Sequence, residues 1–152
     1  MSQETNGMME GWLALTQIQL SVAAKLEQEL QSKHNWSLND FYLLYFLSVA
    51  PDKKLRLQQL ETMIGLSQSA VSRLVSRFEA RGCGALRRHV CEEDRRSVYT
   101  ALTEIGEAEV AAAYDTFIRV LRESLPEREL EAAVETMLAV NAPASEANVS
   151  GD

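Results

Sequence analysis

The segment from Gln68 to Arg77 carries polar side chains whose types and spacing suit contact with nucleic acid. Amide, hydroxyl and guanidinium groups form hydrogen bonds with phosphates and with the edges of bases in the major groove. The segment contains two cations and no acid. Its candidate DNA-contacting residues are Gln68, Ser69, Ser72, Arg73, Ser76 and Arg77.

A helix must hold these side chains on one face, and the apolar residues of the same segment predict that helix. They recur at the spacing of one buried helical face and are Val71, Leu74, Val75 and Phe78. Ser67 is suited to cap the helix, and Gly65 allows a tight turn from a shorter helix before it. The pattern predicts a helix-turn-helix. Any surface helix also shows a polar outer face, so this helix alone fits both interpretations.

The charge of the chain is unevenly distributed. Its net charge of −7 argues at first against binding to phosphate. Between Lys53 and Arg96, however, there are ten basic and five acidic residues, a net charge of +5, which leaves −12 for the rest. This polarity favours DNA contact by the middle of the chain. The overall acidity favours the alternative, a protein-interaction module that binds no DNA.

A charged β-hairpin is predicted directly after the second helix of the pair. Gly82 and Gly84 interrupt the helical periodicity, and strands are predicted over 85–90 and 97–102. The connection between them is Glu92-Glu93-Asp94-Arg95-Arg96. A hairpin in this position is a wing.

Helical patterns at both ends of the chain surround this middle region. One helix is predicted over about 10–33, and a second opens at Ser37-Leu38-Asn39-Asp40, which resembles a capping box. Two more helices follow Thr103 and Pro126. The end helices carry more apolar surface than one contact would use, which favours a homodimer over the alternative, a closed helical bundle in a monomer.

The predicted fold is therefore mainly α with a small β-hairpin wing. A winged helix-turn-helix DNA-binding region, 37–102, is flanked by a helical dimerisation region, 10–36 and 103–140. Segments 1–9 and 141–152 are predicted to be flexible tails. A dimer would place its two DNA-contacting helices one DNA turn apart, about 34 Å, which suits a palindromic site.

The composition predicts a cytoplasmic globular protein of 152 residues, 46% hydrophobic and 24% charged. The chain has no run of about 18 apolar residues and no cationic start followed by an apolar block, so no membrane contact is expected. Two cysteines and two histidines show no zinc-ligand spacing, so neither a metal nor another cofactor is expected. No catalytic constellation is recognisable, and an enzyme is not expected.

Several motifs resemble those of the MarR family of winged-helix transcriptional regulators, over about 13–140. In the predicted helix-turn-helix they are 60–66, Ser67-Gln68-Ser69-Ala70-Val71-Ser72-Arg73-Leu74-Val75 and Arg81-Gly82. In the wing and the start of the next helix they are Asp94-Arg95-Arg96 and Leu102-Thr103-Glu104-Ile105-Gly106. The most specific part is the wing signature D-x-R followed by L-T-x-x-G at this spacing.

The resemblance implies a homodimer joined through its terminal helices, with the recognition helix in the major groove and the wing in the adjacent minor groove. It places Gln68, Ser69, Ser72, Arg73 and Arg77 on the recognition helix and Arg95 and Arg96 on the wing. Asp94 would hold an arginine in place. The chain departs from the family pattern at Gly82-Cys83-Gly84-Ala85-Leu86, where bulky apolar residues are usual, so a longer hairpin or a bend at Gly84 is expected.

Family members often bind small aromatic or phenolic molecules beside the dimer helices and then lose DNA affinity. The candidates here are Trp12, Trp36, Tyr42, Tyr45 and Phe46, for which the alternative is an ordinary role in the core or interface. Other members sense oxidants through cysteine, usually near the N-terminus, where this chain has none. Cys83 and Cys91 flank the first wing strand and are redox candidates, or an ordinary pair of cysteines.

The predicted function is a sequence-specific DNA-binding transcriptional regulator. It would act as a homodimeric repressor on palindromic sites in double-stranded DNA, with an affinity modulated by a small aromatic effector. A redox-responsive regulator that uses Cys83 and Cys91 is an alternative.

Overall fold

The computed structural model describes residues 3–90 and 98–141 of the chain. Within these residues, helices pack on one face of a three-stranded antiparallel sheet, and the mainly helical composition confirms the predicted fold class. The elements are α1 (Gln3–His34), α2 (Leu38–Val49), β1 (Lys54–Arg56), α3 (Leu57–Ile64), α4 (Gln68–Arg81), β2 (Leu86–Val90), β3 (Val98–Leu102), α5 (Glu104–Ser124) and α6 (Glu127–Asn141). None of the described helices is both long enough and apolar enough to cross a membrane.

The first helix begins at Gln3, earlier than its predicted start at about 10 and within the segment 1–9, for which a flexible tail stays a prediction. This stretch contains no proline that would stop a helix. The side-chain amide of Asn6 donates a hydrogen bond to Glu10 Oε1, 3.2 Å away and one turn later. Side-chain hydrogen bonds one turn apart stabilise a helix. They support helical structure here although the polar composition of the segment predicts a tail. Of the tail predicted over 141–152, Asn141 is the last residue of α6, and the remainder lies outside the described residues.

The predicted capping box at the start of α2 is confirmed. Ser37 Oγ accepts a hydrogen bond from the backbone amide of Asp40 at 3.0 Å, and Asp40 Oδ2 accepts one from the amide of Ser37 at 2.8 Å. The two bonds satisfy amides that the first turn of a helix leaves without partners. They determine where α2 begins and hold the Asp40 side chain against the protein.

The core lies where α2, α3 and α4 meet the inner face of the sheet. Its most deeply buried side chains are Phe78, Leu30, Leu43, Leu44, Leu47, Leu60 and Val71. The apolar face predicted for α4 is confirmed, because all four of its members are buried. Packing of this face leaves the polar face of α4 directed away from the core.

The sheet has the order β1-β3-β2, with both pairs antiparallel. In the register, Leu55 of β1 lies opposite Thr100 of β3, and Arg88 of β2 lies opposite the same threonine. Leu55 and Thr100 are buried, so this side of the sheet is its inner face. Because side chains alternate along a strand, the neighbours of these residues lie on the other face.

The L-T-x-x-G motif closes the base of the hairpin onto α5. Thr103 caps α5, since its Oγ1 accepts a hydrogen bond from the Gly106 amide at 3.1 Å, and its own amide donates to the Ala85 carbonyl at 3.0 Å. A Cβ on Gly106 would overlap that carbonyl oxygen and would lie 2.5 Å from Leu102 Cδ1. The motif therefore holds the strands against the helix.

Replacing Gly106 with alanine is expected to lower the free energy of unfolding by about 1–3 kcal/mol, because the added methyl overlaps backbone that cannot move freely. Urea unfolding followed by circular dichroism measures this. The matched control is Gly11→Ala, where a Cβ meets nothing within 4 Å. There the helix should gain up to about 1 kcal/mol. Equal effects of the two substitutions would show that the close contact at Gly106 is unimportant.

Candidate nucleic-acid interface

The polar face of α4 is open to solvent, as predicted. Five of its six candidate residues are exposed and the sixth, Ser72, is half-buried; the exposed ones are Gln68, Ser69, Arg73, Ser76 and Arg77. The face carries hydroxyl, amide and guanidinium donors without a carboxylate among them. We refer to it as the recognition face.

Turns with left-handed glycines position α4 on both sides. Gly65 ends α3 with a φ of +79° and donates its amide to the Glu61 carbonyl at 2.8 Å. Gly82 ends α4 with a φ of +65°. At the start of α4, Ser67 Oγ accepts a hydrogen bond from the Ala70 amide at 3.3 Å, which confirms its predicted capping role. The short link between α3 and α4 gives the helix-turn-helix geometry.

A buried carboxylate ties the recognition helix to α2, and the sequence did not indicate it. Asp40 is 1% exposed, yet its Oδ1 lies 3.2 Å from Arg77 Nη2 and its Oδ2 lies 3.5 Å from Arg81 Nη2. The same carboxylate completes the capping box of α2. Asp40 therefore joins the first turn of α2 to the last two turns of α4. The capping pattern was visible in the sequence, but nothing local to it indicates the two arginine partners.

The two cations of the recognition face have different environments. Arg77 pairs with Asp40 while 53% of its side chain remains exposed. The Nε of Arg73 donates to the Ser69 carbonyl one turn back at 3.3 Å, and among the described residues Arg73 has no carboxylate partner. Arg73 thus has its terminal guanidinium nitrogens available for an external anion. Arg77 therefore anchors α4 to Asp40 and at the same time presents part of its positively charged group to solvent.

A second ion pair attaches the hairpin to the recognition helix. Arg88 of β2 donates from Nε to Glu79 Oε1 of α4 at 2.6 Å and from Nη2 to Oε2 at 3.3 Å. This two-point geometry fixes orientation better than a single contact does. The hairpin base and the recognition face are therefore held at a defined angle to each other.

The wing residues Asp94, Arg95 and Arg96 lie outside the described residues, and their predicted roles stay predictions. The base of the wing is described. Gly84 has a φ of +74°, and β2 begins only at Leu86. The left-handed conformation is a bend at the position where the sequence departs from the family pattern, and it is readily adopted there because Gly84 has no Cβ.

The five aromatic ligand candidates differ in how far they are buried. Trp36 is 5% exposed and lies edge-on to Phe78, with ring centroids 5.9 Å apart, which favours the core role for it. Trp12 is 64% exposed on α1. Tyr42, Tyr45 and Phe46 lie together on α2 and are half-buried. Burial raises the pKa of Tyr42 above its ordinary value, so its hydroxyl stays protonated at neutral pH.

A cleft of about 500 Å³ lies between α2 and α5 beside Tyr45. Tyr45 stacks on Tyr114 with ring centroids 6.0 Å apart, and both rings line the cleft. Lys53 and Glu107, whose charged atoms are 3.6 Å apart, line it as well. Of the five aromatic candidates, only Tyr45 lines this cleft. Tyr114 was not among the residues selected from the sequence, because its proximity depends on the packing of α5.

The structure describes one of the two redox candidates. Cys83 is half-buried and packs against the core. Cys91 lies outside the described residues. The redox role of the pair stays a prediction.

The exposed recognition face, its connection to α3 and the adjoining hairpin define a winged helix-turn-helix protein. Residues 34–97 match the model of the MarR family. This match confirms the resemblance indicated by the sequence motifs, and it spans the helix-turn-helix and the first wing strand. A comparison with curated protein sequences found no match.

Several solved structures share the fold over most of the chain, and the first two described here are of MarR family transcriptional regulators. AbsC from Streptomyces coelicolor is 23% identical, with 88% of this chain and 90% of that chain covered and a TM-score of 0.76. Sco3205 from the same organism, solved in complex with DNA, is 20% identical, with 100% and 95% covered and a TM-score of 0.78. BpsR from Bordetella bronchiseptica, whose DNA binding is regulated by 6-hydroxynicotinic acid, is 20% identical, with 86% and 91% covered and a TM-score of 0.70.

Proposed function

We propose that this chain is a MarR-type transcriptional regulator that binds palindromic double-stranded DNA as a homodimer and represses the promoters it covers. The observation that carries the proposal is the recognition face, an exposed and acid-free helix face in a winged helix-turn-helix fold. Arg73 offers an exposed guanidinium for a base edge or a phosphate. The DNA complex of Sco3205, which has the same fold, supports the same use of the fold here.

The exposed apolar surface of the terminal helices supports the homodimer. No residue of α6 is buried, although the helix carries the predicted apolar stripe, and Leu138 is 64% exposed. Trp12 and Leu20 are similarly exposed on α1. A second copy that covers both helices would remove this surface from water, which is favourable at about 25 cal/mol per Å². The described residues do not form the closed bundle considered as an alternative.

The cleft beside Tyr45 and Tyr114 supports regulation by a small aromatic effector. Its two tyrosine rings, together with one cation, Lys53, and two acids, Glu107 and Asp115, among the lining residues, suit a ligand with a ring and a polar substituent. We propose that such a ligand lowers DNA affinity, as 6-hydroxynicotinic acid regulates BpsR. Release of a bound duplex by a small aromatic acid, with the effect lost in Tyr45→Ala, tests this part.

The DNA-binding proposal is tested by footprinting the protein on fragments upstream of neighbouring genes and then measuring the affinity of the protected site by fluorescence anisotropy. Counterion release predicts a loss of roughly 10³–10⁵ in affinity between about 50 and 200 mM salt for a protein that makes 6–10 phosphate contacts. Light scattering should find two chains per duplex. The control is the same duplex with the protected site scrambled.

Absence of binding to any of these fragments at low salt would overturn the proposal. It would favour the protein-interaction module that the net acidity suggests. A complex that contains one chain per duplex would overturn the homodimer while leaving DNA binding intact.

A further inference from the structure

The sheet has a second face that the recognition face does not use. Its inner side is formed by buried residues such as Leu55 and Thr100, and Arg88 on that side pairs with Glu79 of α4. Strand alternation places the remaining residues on the opposite side. We call this side the outer sheet face, and its polar members are Lys54, Arg56, Arg87, His89 and Tyr99.

The strand register arranges these residues in two rows across the sheet. In one row Lys54 and Arg87 lie on either side of Ala101, and in the other Arg56 and His89 lie on either side of Tyr99. Neighbouring strands are about 4.8 Å apart, so each row spans about 10 Å. The strands contribute three permanent cations to this face and no carboxylate.

Tyr99 holds two of the cations side by side. The Nζ of Lys54 and the Cζ of Arg56 each lie 5.1 Å from the centre of the Tyr99 ring, and Arg56 Nε donates to the Tyr99 hydroxyl at 3.1 Å. These contacts orient the cations without neutralising them. Asp52 lines the adjacent cleft, but among the described residues neither it nor any other acid forms an ion pair with Lys54, Arg56 or Arg87.

Like charges held this close repel one another, and an external anion relieves that repulsion. Arg56, Arg87 and His89 are exposed, so an anion can reach them. A row of phosphates fits better than a single small anion, because the charges are spread over two rows rather than gathered around one point. Duplex DNA presents one negative charge per about 1.7 Å of helix axis.

We propose that the outer sheet face binds the phosphate backbone of DNA that flanks the operator. The inference rests on the proposed DNA-binding function. The outer sheet face belongs to the same β2–β3 hairpin as the wing and lies on the side of the sheet away from α4. In the proposed complex the recognition helices contact the operator and the hairpins lie beside them, so we place the far side of each sheet next to the duplex beyond the operator. The contact would add affinity without adding sequence specificity.

The test compares two duplexes, one limited to the footprinted site of about 20 base pairs and one extended by about one helical turn at each end. The wild-type protein should bind the extended duplex more tightly and with a steeper salt dependence. In Lys54→Gln/Arg87→Gln the extra affinity for the extended duplex should be lost. The slope of the logarithm of the binding constant against the logarithm of salt concentration should become shallower on that duplex by about 1 for each phosphate contact removed. Affinity for the short duplex should change less than twofold.

The matched control removes two positive charges elsewhere. This control is Lys25→Gln/Lys33→Gln, since both lysines are exposed residues of α1. The variant should keep the preference for the extended duplex. Thermal unfolding verifies that both double variants are folded, which is expected because the changed side chains are on the surface.

Equal binding of both duplexes by the wild type would overturn the inference and leave the proposed function standing. An equal loss on both duplexes in Lys54→Gln/Arg87→Gln would also overturn it, since the face would then act within the operator. If the wild type bound neither duplex, the proposed function itself would fail. Loss of the gain in the α1 control as well would show only a general effect of net charge and would likewise overturn the inference.

Discussion

Replacing Arg73 and Arg96 together with alanine is expected to reduce operator affinity by roughly 30-fold to 10⁴-fold, since specific contacts of this kind contribute about 1–3 kcal/mol each. Arg73 lies on the recognition face, exposed and without an acidic partner among the described residues. Arg96 belongs to the wing signature that the family resemblance places in the minor groove, where the negative potential of a narrow groove attracts arginine.

Fluorescence anisotropy with the footprinted duplex measures the loss, and the single variants separate its two parts. Arg73→Ala should reduce discrimination between the operator and a scrambled duplex, as expected for the loss of a base-edge contact. Arg96→Ala should weaken binding to both and reduce the steepness of the salt dependence.

The matched control for the double variant is Lys25→Ala/Lys33→Ala, which removes the same charge from α1 and should leave operator affinity within about threefold of wild type, given the screening of distant surface charges. Unchanged operator binding by the Arg73→Ala/Arg96→Ala variant would contradict the proposed DNA-binding function.

Replacing Asp40 with alanine is expected to lower the free energy of unfolding by about 2–4 kcal/mol, because one change removes one of the two hydrogen bonds of the capping box and leaves two arginines without their shared carboxylate. Asp40 is buried and accepts from the Ser37 amide, while Arg77 and Arg81 approach its two oxygens. Both arginines remain partly exposed, so water compensates for some of the lost attraction. Urea unfolding followed by circular dichroism measures the change.

The variant Asp40→Asn separates the two contributions. Asparagine can still accept the Ser37 amide, so the cap is kept while the ion pairs are lost, and a smaller decrease of about 1–2 kcal/mol is expected. In the Arg77→Ala/Arg81→Ala background, Asp40→Asn should have little further effect on stability, because the partners are already gone. A stability of Asp40→Ala within about 0.5 kcal/mol of wild type would show that this carboxylate does not join α2 to α4.

The recognition face was predicted from the sequence because every feature that defines it is local. The apolar spacing from Val71 to Phe78, the cap at Ser67 and the turn at Gly65 each involve residues within one or two helical turns. Helical periodicity then determines which side chains share the exposed side. The start of α1 is the local feature that differs from the predicted bounds, since a polar composition does not exclude helical structure at 3–9.

Features that join distant parts of the chain were not visible in the sequence. Asp40 and Arg77 are 37 positions apart, and Arg56 and Tyr99 are 43 apart. Trp36 was selected as a ligand candidate by residue type, but its burial depends on where α4 places Phe78. Tyr114 was missed because only the packing of α5 on α2 brings it to Tyr45.

The sequence by itself therefore determined the order and type of the elements, the composition of the recognition face and the resemblance to the MarR family. Periodicity, caps and turns depend on near neighbours, and such patterns can be recognised in one dimension. Only the tertiary structure decided that Asp40 anchors the recognition helix and that β1 joins the hairpin to form the outer sheet face. Those features depend on strand register and helix packing, which many distant residues establish together.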